Sequence, residues 1–474
     1  MIFTSLSFLF FFLCFLLLYW WFQGFKSLKW QNALVIAGSY IFYGLWDWRF
    51  LGLIIFSSGL DFLLGIYIAK SSKQSQRSLL LAVSVAANLG LLGFFKYFNF
   101  LIDSAVSLAA LFSLELSPIT LEIILPVGIS FYTFQTLSYT NDLYKKRIEV
   151  CKDPLAFFAF VSFFPQLVAG PIERASRLLP QFQNRRVWKA DEAVVGLRYL
   201  LLGIFLKIAL ADNFGVLSNH LLDPVLEPNG LNSILGSSCF ALQIFGDFAG
   251  YSSMAIGLSK LLGIELMQNF RSPYFAVSLG DFWKRWHISL STWFRDYLYI
   301  PLGGNRSSKM RATRNLLLTF LISGLWHGAQ ITFVLWGIGH GIALIIEKSV
   351  KYKLPKAIAR PLVFFLVVIL WIPFRAEDTR HMGSLFASLL NFSSYQTQDF
   401  AHVLTAFSQT KFYLLLAFSL LMGMIDYQSR DSDSVQWLSA RSALQRWSLY
   451  FLMALGILLL LNLSVKPNFI YFQF

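Results

Sequence analysis

Twelve apolar stretches follow one another along this sequence, and they constrain its fold more than any other feature. Most approach ~20 residues, the helix length that crosses the ~30 Å hydrocarbon core of a membrane, and the shorter ones suggest tilted or broken helices. Because backbone polar groups must be paired inside lipid, the sequence predicts an all-α polytopic membrane protein with about 11–12 transmembrane helices. The stretches are residues 3–22, 31–46, 50–69, 79–97, 119–141, 193–212, 232–248, 315–327, 331–347, 358–374, 411–427 and 446–464.

Composition and charge agree with this prediction. The 474-residue chain is 56% hydrophobic and only 14% charged, against roughly 25% charged in soluble domains, so a soluble fold could not bury its apolar side chains. The net charge of +14 can indicate a nucleic-acid partner. Here, however, the basic residues cluster in short loops between apolar stretches, as in cytoplasmic loops of membrane proteins. We expect contact with membrane lipid and no nucleic-acid partner.

Loop charges predict how the chain is oriented in the membrane. Basic residues follow the first, third and fifth stretches, at residues 26–29, 70–77 and 145–152, and basic loops favour the cytoplasm. The N-terminus is then extracytoplasmic, and the last stretch places the C-terminus there as well. No charge precedes Lys26, so the first stretch is interpreted as a retained helix and not as a signal peptide.

Two further segments are predicted to enter the membrane without crossing it. Residues 154–172 are apolar but have basic loops on both sides, so this segment is expected to dip in and return, with a break near Pro165. Residues 270–302 combine many aromatic residues with six charged ones. Such a segment can enter the membrane only where protein or a water-filled cavity covers it.

His327 is the first candidate for chemistry, because it lies between Trp326 and Gly328 inside an apolar region. A basic loop ends at Arg314, and about twelve residues of helix then carry His327 roughly 18 Å into the membrane. An ionisable group at that depth is costly unless it has a partner or a function. The alternative is a packing histidine bonded to a helix carbonyl. An apolar setting keeps an imidazole neutral and therefore able to accept a proton.

His287 is the second candidate, within an aromatic run that also holds charged residues. Asp281, Lys284 and His287 are spaced by three residues, which favours one helix. An interfacial amphipathic helix with snorkelling charges is the alternative interpretation. His340 is predicted to be a packing residue or a polar contact between helices, and Asp247 is predicted to pair with a buried lysine or arginine.

Motifs for other chemistries are absent from the sequence. It has no HExxH motif, no Cys/His cluster at metal-ligand spacing, no GxSxG nucleophile motif and no phosphate-binding loop. The three cysteines are widely separated. We therefore expect no metal site, and any reaction would depend on a histidine base and on substrates that are brought in.

Five motifs run through the chain around these residues. They are PVGISFYTFQ at 126–135, FPQLVAGPI at 164–172, DFWKRWHIS at 281–289, WFRDYLYIPLGGNR at 293–306 and GLWHG at 324–328. Together they closely resemble the membrane-bound O-acyltransferase (MBOAT) family, nearest to the bacterial branch of the alginate O-acetyltransferase membrane subunit and the teichoic-acid D-alanyl transfer protein. The ending LGGNR is more similar to the alginate-type proteins. The resemblance extends over about residues 30–375, whereas residues 376–474 carry little recognisable motif.

The resemblance implies a single MBOAT-type membrane domain over residues 1–474, located in the bacterial cytoplasmic (inner) membrane. Its transmembrane helices and its re-entrant or interfacial helices are expected to form a ring around a central tunnel. The resemblance further implies that His327 is the catalytic histidine and His287 its companion. The expected reaction moves an acyl group from a cytoplasmic donor to an extracytoplasmic hydroxyl.

In that reaction His327 is expected to act as the general base toward the acceptor hydroxyl, by direct transfer that requires no acyl-enzyme. The oxyanion is expected to be stabilised by His287, by Trp286 or by a backbone N–H. The predicted substrate-binding residues are Trp326, Trp286, Asp281, Arg285, Arg295 and Asp296.

The expected co-substrate is acetyl-CoA or the thioester of an acyl carrier protein, docked by the basic cytoplasmic surface, with no tightly bound cofactor. An exported polysaccharide or a periplasmic relay acyltransferase is the expected partner. Three alternatives stay open. The protein could transfer D-alanine or another acyl group to a cell-wall polymer or lipid, or it could be a scaffold that does not need its histidines. It could also transport the acyl donor without chemistry, although the sequence lacks a two-halves repeat.

Overall fold

The computed structural model describes residues 2–21, 27–114, 121–168, 170–225, 227–306, 308–350, 354–395, 407–462 and 469–470. Helices and turns are the regular structure of these residues, and no strand occurs among them. The predicted all-α fold is therefore confirmed. The chain divides into two compact units, Met1–Ala193 with Leu258–Met267, and Val194–Gly257 with Gln268–Phe474. The single domain over residues 1–474 stays a prediction.

The first unit is built from nine helices and the start of a tenth within the described residues. They are α1 (Leu6–Trp21), α2 (Leu28–Asp47), α3 (Leu51–Lys70), α4 (Gln74–Leu92), α5 (Phe98–Ala110), α6 (Ile129–Tyr144), α7 (Pro154–Ser162), α8 (Phe164–Leu167), α9 (Ala175–Gln183) and the start of α10 (Ala190–Ile204). A π-helical segment, Gly93–Tyr97, joins α4 directly to α5.

The second unit contains the rest of α10 and the following helices. They are α11 (Asp212–Leu221), α12 (Gly230–Leu261, whose last turn belongs to the first unit), α13 (Leu279–Arg285), α14 (Ile288–Phe294), α15 (Lys309–His327), α16 (Ile331–Ser349), α17 (Lys356–Arg375), α18 (Thr379–Leu390), α19 (Gln409–Gln428), α20 (Ser434–Ser439) and α21 (Ala443–Leu460). Two further π-helical segments are Phe205–Ala211 and Arg295–Tyr299.

Seven stretches of the described chain are long and apolar enough to cross a membrane, which confirms a polytopic membrane protein. One of them, Leu28–Lys70, contains two of the helices predicted from the sequence. The higher predicted count includes shorter helices such as α1, which has 16 residues. The ring around a central tunnel stays a prediction.

Helix boundaries differ from the prediction most clearly in three places. The stretch predicted as 119–141 becomes helical only at Ile129, because Gly128 adopts a left-handed conformation with φ of 77° at the helix N-cap. The helix predicted for 79–97 continues to Ala110, and the one predicted for 232–248 continues to Leu261. Polar residues in these extensions reduced the apolarity on which the prediction depended.

The segment predicted to enter and return, residues 154–172, forms two short helices. α7 has nine residues and α8 has four, with a break at Phe163, so neither could cross a ~30 Å hydrocarbon core. The first and second motifs meet here. Gln166 donates a hydrogen bond of 3.0 Å to the side-chain oxygen of Gln135, and Gln135 donates one of 2.7 Å to the carbonyl of Phe160.

Helices α15 and α16 pack closely because two glycines face each other where they cross. A Cβ atom at Gly324 would overlap the carbonyl oxygen of Phe333, and one at Gly337 would overlap that of Phe320. Small residues at such crossings let helix backbones approach closely. This crossing fixes the end of α15, where His327 lies, against α16.

We expect Gly324→Ala to destabilise the protein by about 1–3 kcal/mol, because the added methyl group forces the two backbones apart. Gly383→Ala is the matched control, since a Cβ at this α18 position meets no atom within 4 Å. Alanine there is expected to be neutral or slightly stabilising. Thermal unfolding in detergent measures both effects, and equal melting temperatures for the two variants would contradict the close crossing.

A carboxylate of α16 holds the start of α13. Glu347 accepts hydrogen bonds from the backbone N–H groups of Leu279 and Gly280, the latter at 3.0 Å. The first N–H groups of a helix have no partner within the helix, and an acidic side chain satisfies them. α13 is thereby anchored to α16, and the chain leaves α13 directly toward His287.

Candidate active site

His327 is the last residue of α15, and aromatic rings surround it. The residue is 4% exposed. Its imidazole makes edge-on contacts with the rings of Trp326 and Trp336, both at 5.0 Å between centroids, and with Phe374 at 5.4 Å. The helix stops here because Gly328 is extended, with φ of −154° and ψ of 150°. The imidazole is therefore left at a helix end.

His287 lies between α13 and α14 and is fully buried. The residue is left-handed, with φ of 42° and ψ of 54°, a conformation that is costly for residues other than glycine. The single helix inferred from Asp281, Lys284 and His287 is therefore wrong, because α13 ends at Arg285. The turn directs the imidazole onto the edge of Phe248, at 4.6 Å between centroids.

Asn269 holds this unusual turn in place. Its carbonyl oxygens accept from the backbone N–H of Ile288 at 2.9 Å and from the hydroxyl of Ser289 at 2.6 Å. Its side-chain amide donates to the hydroxyl of Ser252 on α12 at 3.0 Å. Buried polar groups that all have partners fix one geometry. We infer that this network positions the His287 ring.

The same network favours one tautomer of His287. The Ser289 hydroxyl gives its proton to Asn269, so in its 3.4 Å contact with Nδ1 of His287 the serine oxygen accepts. Nδ1 then carries the proton, and Nε2 of the neutral ring is an acceptor. Within the described part of the chain, Nε2 is buried and has no hydrogen-bond partner, so the ring keeps an unpaired acceptor.

Asn269→Ala is expected to lower the turnover number for acyl transfer about tenfold, because two buried hydroxyls lose their partner and the His287 turn relaxes. Steady-state kinetics on the purified protein measure this effect. Ser252→Ala removes one contact of the same asparagine and should lower the turnover number less. An unchanged turnover number in Asn269→Ala would show that the turn does not need this support.

The two histidine rings lie close together. Their centroids are 6.4 Å apart, and the ring of Trp326 contacts both, at 6.1 Å from His287 and 5.0 Å from His327. One small group between two rings at this separation can be hydrogen-bonded to both. The structure thus brings together three of the residues predicted from the sequence, His287, His327 and Trp326.

His340 lies on the other side of Trp336 from His327. Its ring is 5.1 Å from that of Trp336 and 5.0 Å from that of Trp283. The residue is fully buried, and neither ring nitrogen has a hydrogen-bond partner in the described residues. Of the two predicted roles, packing fits these contacts.

The ring of Trp286 is linked to the rings around His327 through Trp371. It contacts Trp371 at 5.1 Å, and Trp371 contacts Phe374 at 5.2 Å beside His327. The predicted role of Trp286 as an oxyanion donor stays a prediction.

The charged residues predicted to bind substrate lie in ion pairs. Asp281 and Arg285 are joined at 2.8 Å, and Arg285 also donates to the carbonyl of Arg430. Arg295 and Asp296 are joined at 2.7 Å, with the Arg295 side chain 59% exposed. Their role in substrate binding stays a prediction.

Two cavities in this unit lie near these residues. An apolar cavity of about 480 Å³ is lined by Phe245 and Tyr274, among others, and both rings contact Trp286. A smaller pocket of about 130 Å³ shares Phe275 and Arg360 with it. The charged lining of this smaller pocket, called the basic pocket below, is Asp281, Arg285, Lys356, Arg360, Arg430 and Asp431.

Sequence reasoning missed four residues of this site. Phe248, Asn269, Trp336 and Phe374 come from separate parts of the chain and meet only through packing. A partial signal existed for Trp336, because it is four residues before His340 and the two share a helix face. No local pattern marks Asn269.

Comparison with known proteins identifies the family. The sequence model of the membrane-bound O-acyltransferase family matches residues 3–360. The chain is 39% identical over 444 residues to the "Probable alginate O-acetylase AlgI" of Pseudomonas syringae pv. tomato, which covers 92% of this chain and 84% of that protein. It is 31% identical over 493 residues to the peptidoglycan O-acetyltransferase of Helicobacter pylori, covering 93% of this chain and 91% of that protein.

A more distant relative aligns over a shorter region. The teichoic acid D-alanyltransferase of Streptococcus thermophilus is 32% identical over 263 residues, which covers 50% of this chain and 61% of that protein. All three relatives are named as enzymes that transfer an acyl group to a polymer. The chain is therefore an acyltransferase that belongs to the membrane-bound O-acyltransferase family.

Proposed function

We propose that this protein transfers an acetyl group from a cytoplasmic thioester, across the membrane, to hydroxyl groups of an exported polysaccharide or of a periplasmic relay protein. The observation that carries the proposal is the buried pair of His327 and His287, whose rings are 6.4 Å apart. The rings around this pair, called the aromatic cage below, are those of Phe248, Trp326, Trp336 and Phe374. The full-length similarity to two enzymes named as polymer O-acetylating proteins supports acetyl as the acyl group.

In this proposal His327 performs the proton transfer. A neutral imidazole accepts the proton of the acceptor hydroxyl as the oxygen attacks the thioester carbonyl. The tetrahedral intermediate collapses, the C–S bond breaks, and the imidazolium returns the proton to the leaving thiolate. The products are an ester and a free thiol, so no covalent enzyme intermediate is needed. The aromatic cage favours the neutral form of the ring, because an apolar environment penalises the charged form.

Trp336 is suited to stabilise the oxyanion that forms during attack. Its ring contacts His327 at 5.0 Å, the residue is fully buried, and its indole N–H has no hydrogen-bond partner in the described residues. A buried N–H donor without a partner can stabilise negative charge that develops beside it. His287 in the tautomer favoured above presents an acceptor, so a neighbouring donor is required. We propose that this donor is Trp336.

Trp336→Phe should lower the turnover number by about 10²-fold, because it removes the N–H donor and keeps an aromatic ring in the cage. The expected change is in turnover and not in the Michaelis constant for the donor, since the hydrogen bond forms only in the transition state. Trp283→Phe is the matched control, because this indole N–H also lacks a described partner but lies beside His340. Equal activity in the two variants would exclude Trp336 as the donor.

The donor is proposed to approach from the cytoplasm. α15 starts with Lys309, Arg311 and Arg314 and ends at His327, and the positive-inside rule assigns such basic ends to the cytoplasm. Four basic and two acidic side chains line the basic pocket. This excess of positive charge attracts the phosphates of coenzyme A or an acidic carrier protein. In this arrangement both chain termini are extracytoplasmic and the protein resides in the bacterial inner membrane.

Transfer of D-alanine to a cell-wall polymer is the second candidate, supported by the similarity to the Streptococcus thermophilus enzyme over half of this chain. The two candidates differ in the group that is esterified. Exported polymers from cells with the intact protein and with His327→Gln should be treated with mild alkali, and the released acids identified. Acetate that depends on His327 is the expected result. Release of D-alanine would favour the second candidate, and no His327-dependent release would overturn both.

A further inference from the structure

A polar cavity of about 580 Å³ lies within the first unit, formed where the end of α1 meets residues 180–192 and 260–265. Four basic and two acidic side chains line it, together with Trp20 and Trp188. The acyl transfer proposed above uses none of these residues. The cavity therefore calls for its own explanation.

Arg186 is the central feature of this cavity. The residue is only 4% exposed, and two of its guanidinium nitrogens are fixed: Nε donates to the hydroxyl of Tyr19 at 2.8 Å, and Nη1 donates to the side-chain oxygen of Asn32 at 2.7 Å. The third nitrogen, Nη2, is buried without a hydrogen-bond partner in the described residues. None of these residues offers Arg186 a carboxylate within ion-pair distance either. A buried cation without a counter-charge is costly.

The residues around Arg186 are positioned by the backbone turn at residues 261–263. Gly263 is left-handed, with φ of 72°, and a Cβ there would lie only 3.3 Å from the Arg186 side chain. Trp20 donates its indole N–H to the carbonyl of Leu261 at 2.9 Å. The indole is therefore held directly by this turn, and the guanidinium is held through Tyr19, whose hydroxyl donates to the carbonyl of Leu262 at 3.1 Å.

The acidic residues of the lining are already paired. Glu192 forms an ion pair of 2.5 Å with Lys260, and Glu265 lies 3.6 Å from Arg177. They therefore do little to balance the positive charge of Arg186. Lys189, exposed at the rim, adds a further positive charge.

We propose that this cavity binds a phosphate group, carried either by a soluble metabolite or by an anionic phospholipid. A fixed guanidinium with a free N–H matches the geometry of phosphate oxygens, and a nearby lysine adds charge. The exposed ring of Trp188 offers a flat apolar wall to the rest of the ligand. This inference is independent of the acyl transfer proposed above, because it concerns no residue of that reaction.

Calorimetric titration of the purified full-length protein with inorganic pyrophosphate at low salt tests the proposal. Lys189→Gln should weaken binding about threefold, as loss of one screened charge implies. Glu192→Gln should strengthen binding by a similar factor, because Lys260 is released from its ion pair. A gain of affinity cannot result from partial unfolding. Arg186→Gln should abolish binding if the variant folds.

A second arm separates the two sources of phosphate. The protein is placed in nanodiscs of phosphatidylcholine with or without phosphatidylglycerol, and bound lipid is measured by native mass spectrometry. Pyrophosphate binding without Lys189-dependent retention of phosphatidylglycerol indicates a soluble ligand, and retention that depends on Lys189 indicates a lipid. Lys73→Gln, an exposed residue outside the cavity, should change neither result. Failure of both probes to bind, or weakening by Lys356→Gln in the basic pocket instead of Lys189→Gln, would overturn the proposal.

Discussion

Replacement of His327 with glutamine is expected to lower the rate of acyl transfer by about 10²–10⁴-fold, the contribution of a positioned general base. Glutamine is close to histidine in size but cannot accept the proton of an alcohol at neutral pH. The measurement is the release of free thiol together with ester formation by the purified protein. Binding of the donor should change little, because the base acts only in the transition state.

His340→Gln is the matched control for this variant. His340 is buried in the same aromatic cluster, and its ring contacts Trp336 at 5.1 Å, as the ring of His327 does at 5.0 Å. The same chemical change at this position should cost less than about tenfold in rate, since only packing is disturbed. Equal losses in the two variants would indicate that glutamine damages the cage and would remove the evidence for a base at His327.

Lys207→Met is expected to destabilise the protein by about 3–5 kcal/mol, the cost of leaving buried charges without a partner. The Lys207 side chain is 2% exposed and lies between two carboxylates, 2.6 Å from Asp212 and 2.8 Å from Asp247. Asp247 also accepts the backbone N–H of Ile470 at 2.6 Å. Methionine preserves the volume but removes the charge that both carboxylates require.

Thermal unfolding in detergent measures this effect, with Lys260→Met as the control. Lys260 also forms a short ion pair, but its partner Glu192 is half exposed, and an exposed pair contributes about 0–1 kcal/mol. Lys207→Met should therefore unfold at a clearly lower temperature than Lys260→Met. The triple variant with Asp212→Asn and Asp247→Asn should recover part of the loss. Similar melting temperatures for the two single variants would show that the buried charges do not stabilise the second unit.

The sequence predicted the parts of this fold that depend on local apolarity. Every predicted apolar stretch coincides at least partly with a helix, because burial in lipid or in protein selects for the same residues. The start of α6 was missed, because residues 121–128 are mostly apolar but Gly128 adopts a left-handed conformation. The pairing of Asp247 with a buried lysine was predicted correctly, since a buried carboxylate needs a counter-charge.

Only those parts of the candidate site that depend on a single sequence motif were predictable. The burial of His327 follows from the apolar residues of its motif. The position of His287 does not, because helical spacing suggested one helix where the backbone makes a left-handed turn. That turn depends on Asn269, which is 18 residues earlier in the chain and reaches His287 only through tertiary packing. Trp336 and Phe374 likewise approach His327 from two other helices.

Acyl transfer across the membrane is tested most directly in proteoliposomes with the donor and the acceptor on opposite sides of the membrane. Radiolabelled acetyl thioester is enclosed on the side of the Lys309–Arg314 end of α15, and a hydroxyl-bearing polysaccharide is supplied on the other side. We expect alkali-labile label on the external polysaccharide with the wild-type protein and at most about one hundredth as much with His327→Gln. Equal labelling by the two proteins would contradict the claim that His327 is the base that drives acyl transfer across the membrane.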